Sequence, residues 1–342
     1  MLKARMKYGA VSAKIMAMYG KRLREDDWQR LSECKSYAEI CAFLRSHRGW
    51  SQTMASLPTT PTPKVLQAAV RKRVYEDYEK LYKFLQIEDQ QFLKFTAYRA
   101  EYDYILDALR EKGPMELLPK TLELTDFMRK NSSVDLAALE QSRNFAEIQS
   151  AVKGSIYEKP LAELKLNPET GQPNYWETGV LLENAFFKAI FSYISGKYKG
   201  FGQKNLSKTV GMEADLLNIV SILRLQRSFP QSLEQAGELL IPISYRLKPE
   251  LLYALESAKS EDEALEILRK SDFGKYLVGT DTTKIESIYY KTMEKFCRKL
   301  LKTAEPDLNT PQVYLVLKGL ECEKLSRVIE AVYSGVDPKS VI

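Results

Sequence analysis

Few residues of this chain are placed to make or break a bond. His47 is the single histidine among 342 residues, so no histidine pair can hold a metal and no spare imidazole can serve a nucleophile. It lies in Arg45-Ser46-His47-Arg48, a polar stretch that predicts an exposed ring. The four cysteines (Cys34, Cys41, Cys297 and Cys322) lack metal-ligand spacing and read as reduced thiols of a cytosolic protein. Ser195-Gly196-Lys197-Tyr198 holds a Gly-Lys pair, without the earlier glycine and the following Ser/Thr of a phosphate loop. Gly200-Phe201-Gly202, set between lysines, reads as a flexible connection between helices. Asp26-Asp27 has Arg30 and Leu31 where a magnesium-binding acidic motif would need further acids. This inventory predicts a non-catalytic chain with no cofactor and no metal.

Charge set inside apolar helical frames is the more informative chemistry. Residues 211–224 place Glu213, Asp215, Asn218 and Arg224 among leucines and isoleucines. Residues 318–329 do the same with Glu321, Lys324 and Arg327, and residues 98–106 with Arg99 and Glu101. Asn218, flanked by apolar neighbours, would be costly to bury without partners. Two readings follow. The polar groups hold adjacent helices in register, or some of them line a shared interior and grip another chain.

The elements that must carry these groups repeat along the chain. Leu31 opens a stretch with Ser36, Glu39, Ile40 and Leu44. It returns at Leu139 with Asn144, Glu147, Ile148 and Val152, and at Leu255 with Ser260, Glu263, Ala264 and Leu268. The copies are 108 and 116 residues apart, too long a period for a solenoid. Ser36, Asn144 and Ser260 are helix-capping residues with a glutamate three positions on, the capping-box spacing. The chain thus divides into three helical units, 1–113, 114–232 and 233–342, with breaks at Gly113-Pro114 and near Phe229-Pro230. Unit one predicts helices over 8–22, 37–45, 65–86 and 92–111. Unit two predicts 118–130, 145–153, 175–195 and 211–228, and unit three 236–246, 261–270, 282–302 and 310–333. Aromatic stripes on the third helices (Tyr75, Tyr78, Tyr82; Phe187, Phe191; Tyr289, Phe296) read as core. Little of the sequence alternates at period two, so the fold class is all-α.

Composition bounds the partners. Apolar and charged contents of 44% and 28% suit a soluble protein. No run approaches the ~18 apolar residues that span a bilayer, and the N-terminus lacks the apolar core of a signal peptide. Residues 1–24 carry seven cations and no acid, so the rest of the chain nets −1 against an overall +6. A basic opening helix reads as a solvated face, or as one meeting anionic lipid or an acidic partner. A nucleic-acid surface would carry a larger basic excess with exposed aromatics, so no nucleic acid is expected.

The segment Glu213-Ala-Asp215-Leu-Leu-Asn218, with Arg224 after five more residues, resembles an element of the C subunit of the bacterial and archaeal V/A-type ATPases, related to the eukaryotic d subunit. Tyr314 to Ile329 followed by Gly335-Val336 resembles the end of that family, with Lys324 where asparagine is frequent. Tyr8 to Ile15, with Leu23 and Leu31, resembles its first helix. The resemblance implies three helical units around a pseudo-threefold axis, forming a funnel. It implies a central-stalk socket that takes the foot of the rotor shaft (subunits of D and F type) at one end and docks on the membrane proteolipid ring at the other. Localisation would be peripheral, on the cytoplasmic side, with membrane contact mainly through the ring. Arg99, Glu101, Glu213, Asp215, Asn218, Arg224, Glu321, Lys324 and Arg327 are the candidates for lining the funnel or touching partners. Without the resemblance, a helical scaffold for other protein partners, with no rotary role, fits the same residues. Whether the ion is H⁺ or Na⁺ would be decided in the ring.

Overall fold

The computed structural model describes residues 2–111, 123–228, 237, 240–303 and 305–341. It is helical throughout, and among the described residues the sole β feature is an isolated bridge between Leu166 and Pro173. The breaks expected at 113–114 and 229–230 lie outside the described residues, as do residues 118–122 of one expected helix.

The capping prediction holds in all three copies. Ser36, Asn144 and Ser260 accept the N–H of Glu39, Glu147 and Glu263 at 3.3, 3.0 and 3.2 Å. The three glutamates turn back to accept the N–H of Lys35, Arg143 and Lys259 at 2.9, 2.7 and 2.8 Å. Each reaches one residue before the cap, not the cap itself as in a standard capping box. Further on, His47 Nδ1 accepts the N–H of Gly49 at 3.2 Å, while Ser155 and Ser271 Oγ accept those of Tyr157 and Phe273, each at 3.1 Å. Leu31, Leu139 and Leu255 are all buried, as are Leu44, Val152 and Leu268.

The chain packs as two compact units. The first comprises Met1–Leu93, Leu117–Asn131 and Glu305–Ile342. Its long helices are Leu2–Tyr19, Pro63–Tyr82 and Asn309–Tyr333, with shorter ones at Glu25–Glu33 and Tyr37–Ser46. Thr62 and Pro63 start the second of these, Thr62 Oγ1 accepting the Val65 N–H at 3.4 Å. Its core joins Trp28, Leu31, Ile40, Leu44 and Trp50 to Leu66 and Val70, and to Leu325, Val328 and Ile329 from the far end of the sequence.

The second unit comprises Lys94–Glu116 and Ser132–Ala304. Its long helices are Phe95–Glu111, Tyr175–Lys197, Gly200–Ser228 and Ile285–Thr303. Asn174 caps the second, accepting from the N–H groups of Trp176 and Glu177. The aromatic stripes are largely core as expected: Tyr78, Phe187, Met293 and Phe296 are buried, and Tyr82, Phe191 and Tyr289 half-buried.

Helix pairing follows one rule. Helix 95–111 packs on 175–197, helix 200–228 on 285–303, and helix 309–333 on 63–82. The last helix of each sequence stretch therefore lies on the long aromatic helix of the next stretch, and the last of all returns to the first.

Two expectations are corrected. The helix predicted over 236–246 is absent where residues 240–246 are described, and the next helix is Pro249–Glu256. Pro242 supplies no N–H and biases the residue before it toward extended backbone. Gly200-Phe201-Gly202 is not a connection: Gly200, at φ +58°, opens helix 200–228, and only residues 198 and 199 separate it from helix 175–197.

Candidate functional site

Three carboxylates on the three last helices perform one structural task. Glu101 accepts from Ser132 Oγ at 2.9 Å and from the N–H and Oγ of Ser133, both at 2.7 Å. Asp215 accepts the N–H groups of Tyr245, Arg246 and Leu247 at 2.9, 2.6 and 3.1 Å. Glu321 accepts the Leu23 N–H at 3.1 Å and the Lys318 ammonium at 2.6 Å. Each of these segments lies one or two residues before the residue that starts a short helix: Asp135, Lys248 and Arg24. A carboxylate suits the task because it is acceptor-only and can take several donors at once. Glu101 and Asp215 are fully buried. Burial pushes the pKa of both upward, and their hydrogen bonds offset only part of that rise.

Asn218 adds a second hold on the chain before Lys248. Its Nδ2 donates to the Ile241 carbonyl at 2.9 Å and its Oδ1 accepts the Ile241 N–H at 2.8 Å. Asp215 and Asn218 together draw 241–247 along helix 200–228, which completes the reason that this segment is not helical. Gly211 lets the approach happen: a Cβ there would stand 2.6 Å from that of Tyr245.

A separate charged cluster gathers one group from each long helix of the second unit. Arg99 stands 3.3 Å from Glu213 and 3.8 Å from Glu183, and the Tyr289 hydroxyl donates to Glu213 at 3.4 Å. The Arg99 guanidinium also lies 5.1 Å from the Phe186 ring centre and 5.6 Å from that of Phe187, within cation–π range. Burial opposes its charge, yet Glu213 and Glu183 outweigh it, so the pKa of Arg99 is raised. The Glu183 carboxyl is raised by burial, with Arg99 pulling the other way.

Of the remaining candidates Arg224 is exposed, and Lys324 and Arg327 are half-buried. Arg224 pairs with Glu286 at 3.0 Å, both about half exposed. Arg327 Nε is 3.6 Å from Glu323, and the Lys324 ammonium sits 4.2 Å from the Trp28 ring centre. Lys324 thus occupies the place expected for an amide with a cation laid on an aromatic face.

His47 is a correction. Its side chain is only a tenth exposed, stacked on Phe43, with Nε2 3.5 Å from Asp27. The polar stretch around it hid the fact that its Nδ1 does the work of Ser155 and Ser271. Burial raises the Cys322 thiol to about 12, and that of Cys297 is also pushed up. Among the described residues no group of three or more His, Cys, Asp or Glu side chains is arranged to hold a metal, and no helix is long and apolar enough to cross a membrane.

Sequence reasoning missed Asp77 and Arg227. Asp77 is buried and accepts from Tyr314 at 2.6 Å and Lys80 at 3.1 Å. An acid within the stripe Val70, Tyr78 and Leu81 was the available signal. Arg227 forks onto Glu261 and donates to the Thr283 carbonyl at 2.9 Å; an arginine at a helix end gave no signal of a partner 34 residues on.

Comparison with known proteins agrees with this frame along the whole chain. The C subunit of an A-type ATP synthase from Pyrococcus abyssi (strain GE5 / Orsay) is 21% identical over 343 aligned positions, spanning 98% of this chain and 89% of that protein. The model of the ATP synthase (C/AC39) subunit family matches residues 11–341. The three-copy capping network, the carboxylate clamps on the last helices and a family match over nearly every residue converge: this chain belongs to the ATP synthase (C/AC39) subunit family.

Proposed function

We propose that this chain is a non-catalytic central-stalk subunit of a V/A-type rotary ATPase. It is a socket that couples rotor-shaft subunits of D and F type to the membrane proteolipid ring, for ATP-linked H⁺ or Na⁺ transport. It works on the cytoplasmic side as a peripheral subunit and meets the membrane mainly through the ring. Beyond family membership, the observation that supports this reading is the helix-pairing rule. Three last helices, each seated on the long helix of the next stretch with the third returning to the first, form a cyclic pairing among the three repeated stretches, as a part built from three like modules requires.

The candidates divide by their surroundings. Glu101, Asp215, Asn218 and Glu321 are positioning residues that hold the module entrances. Arg224, Lys324 and Arg327, nearer solvent, are those proposed to meet partner subunits. The Arg99–Glu183–Glu213–Tyr289 cluster keeps four helices in register under torque. Specific contacts of this kind bury roughly 1,000 Å² or more on each face.

The test is a pull-down of the tagged chain from native, detergent-solubilised membranes, with mass spectrometry of the co-purifying proteins. Rotor-shaft subunits and proteolipid together are the expected result. Recovery of neither, from membranes shown to contain intact ATPase, overturns the coupling role and leaves a helical scaffold for other proteins.

A further inference from the structure

The first compact unit contains a concave cavity of about 200 Å³ whose lining is basic. Lys14 and Lys21 come from and just beyond helix 2–19, Arg73 and Lys80 from helix 63–82, and Lys318 from helix 309–333. Asp77 is the one acid in the lining, and it is already engaged by Tyr314, by Lys80 and, at 3.6 Å, by Arg73. Glu76 offsets Arg73 at 3.3 Å and Glu321 offsets Lys318 at 2.6 Å. Lys14 and Lys21 have no carboxylate within ion-pair distance among the described residues. Five cations against Asp77, Glu76 and Glu321 leave the local balance positive by two charges among the described residues.

A second observation points inward. Arg73 Nε is buried and, at 3.6 Å from Asp77, makes an ion pair but no hydrogen bond of normal length, so its donor is only partly satisfied. Five cations, four of them on three helices and Lys21 just beyond the first, repel one another, and a concave, low-dielectric wall focuses their field on whatever enters. Size narrows the ligand. A single water needs on the order of 10–15 Å³ by a comparable measure, so the space holds on the order of fifteen waters and has room for a group of diphosphate size. It is far too small for a folded partner. Guanidinium and ammonium groups together match phosphate oxygens in geometry and charge.

We propose that this cavity is a binding site for a compact phosphoryl anion of the diphosphate type, carried either by a soluble polyphosphate or by a phosphorylated lipid headgroup. Lys14 and Lys21 supply the uncompensated charge, and Arg73 contributes a guanidinium to the lining. The site joins the N-terminal helix to the last helix, so an occupant ties together parts of the chain about 300 residues apart in sequence.

Isothermal titration of the full chain with inorganic pyrophosphate at about 0.1 M salt tests this. Trp50 fluorescence is a parallel readout, since the Lys318 ammonium lies 4.3 Å from the Trp50 ring centre and Gly49 lines the cavity. We expect saturable one-to-one binding. It should weaken at least tenfold in the double variant Lys14→Gln/Lys21→Gln and stay within twofold in the control Lys299→Gln/Lys302→Gln. Both variants change side chains that touch solvent, and circular dichroism verifies that they fold. Vesicles with and without a phosphoinositide bisphosphate separate the sources: capture that depends on the headgroup and on Lys14 and Lys21 assigns the lipid, and binding of pyrophosphate alone assigns the soluble anion. Failure of the wild-type chain to bind either probe saturably overturns the proposal. So does an equal loss in the double variant and the control, because the attraction is then general to the basic surface.

Discussion

Replacing Asp215 with alanine takes the acceptor from three backbone N–H groups at one stroke. A donor left unmade in the interior costs ~1–3 kcal/mol. The three do not count equally. Leu247 is buried, so its N–H has no substitute partner, whereas Tyr245 and Arg246 are half-buried and water can reach their N–H groups once the side chain has gone. We assign about 2 kcal/mol to Leu247 and about 1 kcal/mol to each of the others. Removing the carboxylate also releases the cost of burying it, the cost that raises its pKa; a return of about 1 kcal/mol leaves a net loss of about 3 kcal/mol. That is roughly a hundredfold in the folding equilibrium. The assay is urea unfolding followed by helicity, with hydrogen exchange resolving the amides of residues 245–247. Those three amides should exchange at least tenfold faster in the variant. Asp215→Asn, which keeps the shape and one oxygen, should lose about half as much. A loss below about 0.5 kcal/mol with unchanged protection at 245–247 would refute the clamp.

Other expectations follow from the same geometry. Ser36→Ala, Asn144→Ala and Ser260→Ala should each cost about 1 kcal/mol; the caps share no partner, so their effects should add, and denaturant midpoints of the single and triple variants test this. Gly211→Ala places a Cβ 2.6 Å from that of Tyr245 and should destabilise by about 1–3 kcal/mol through overpacking, with faster exchange confined to residues near 245. Glu183 has its pKa raised above 4.5 in the folded chain. Between 4.5 and that raised value the folded state holds more protons than the unfolded one, so its contribution is full at low pH and is lost as pH rises through the window. The stability of the wild type relative to Glu183→Gln should therefore fall as pH rises above 4.5 and level off beyond; a rising difference would mean that Arg99 governs the group. Arg224→Ala breaks a half-exposed pair and should change stability by no more than about 1 kcal/mol in the same unfolding experiment.

Helix starts were readable because their causes are local. A serine or asparagine with a glutamate three residues on fixes the first turn, and Ser36, Asn144 and Ser260 behave as their spacing requires. The long helices were readable from the period of their apolar residues. The segment 240–247 was misread because its conformation is imposed from a distance. Asp215 and Asn218 are about 30 and 23 residues away and take the N–H groups that a helix would have used. Pro242 was the local warning. His47 was misjudged for a related reason: its neighbours are polar, but the equivalence of its Nδ1 to a serine hydroxyl shows only when the three copies are superposed in register. Of the charged candidates, the sequence located the helices that carry them but not which way they face. That depends on the pairing of each last helix with the next stretch, and no periodicity within one stretch encodes it.

The return of helix 309–333 to helix 63–82 has a consequence for synthesis. Contacts that complete the first unit join Leu23 to Glu321, Gln67 to Ser326 and Asp77 to Tyr314, across 298, 259 and 237 residues. At roughly 5–20 residues per second, the ribosome needs on the order of ten seconds or more to pass from Tyr82 to Asn309. Through that interval Leu66 and Val70 have no last helix to cover them, and by its end every segment of the second unit has been synthesised. A chain that terminates early can thus complete the second unit but never the first. Such a chain leaves Leu66 and Val70 without the cover that Leu325, Val328 and Ile329 give them, so the first unit folds only once the last helix has been made.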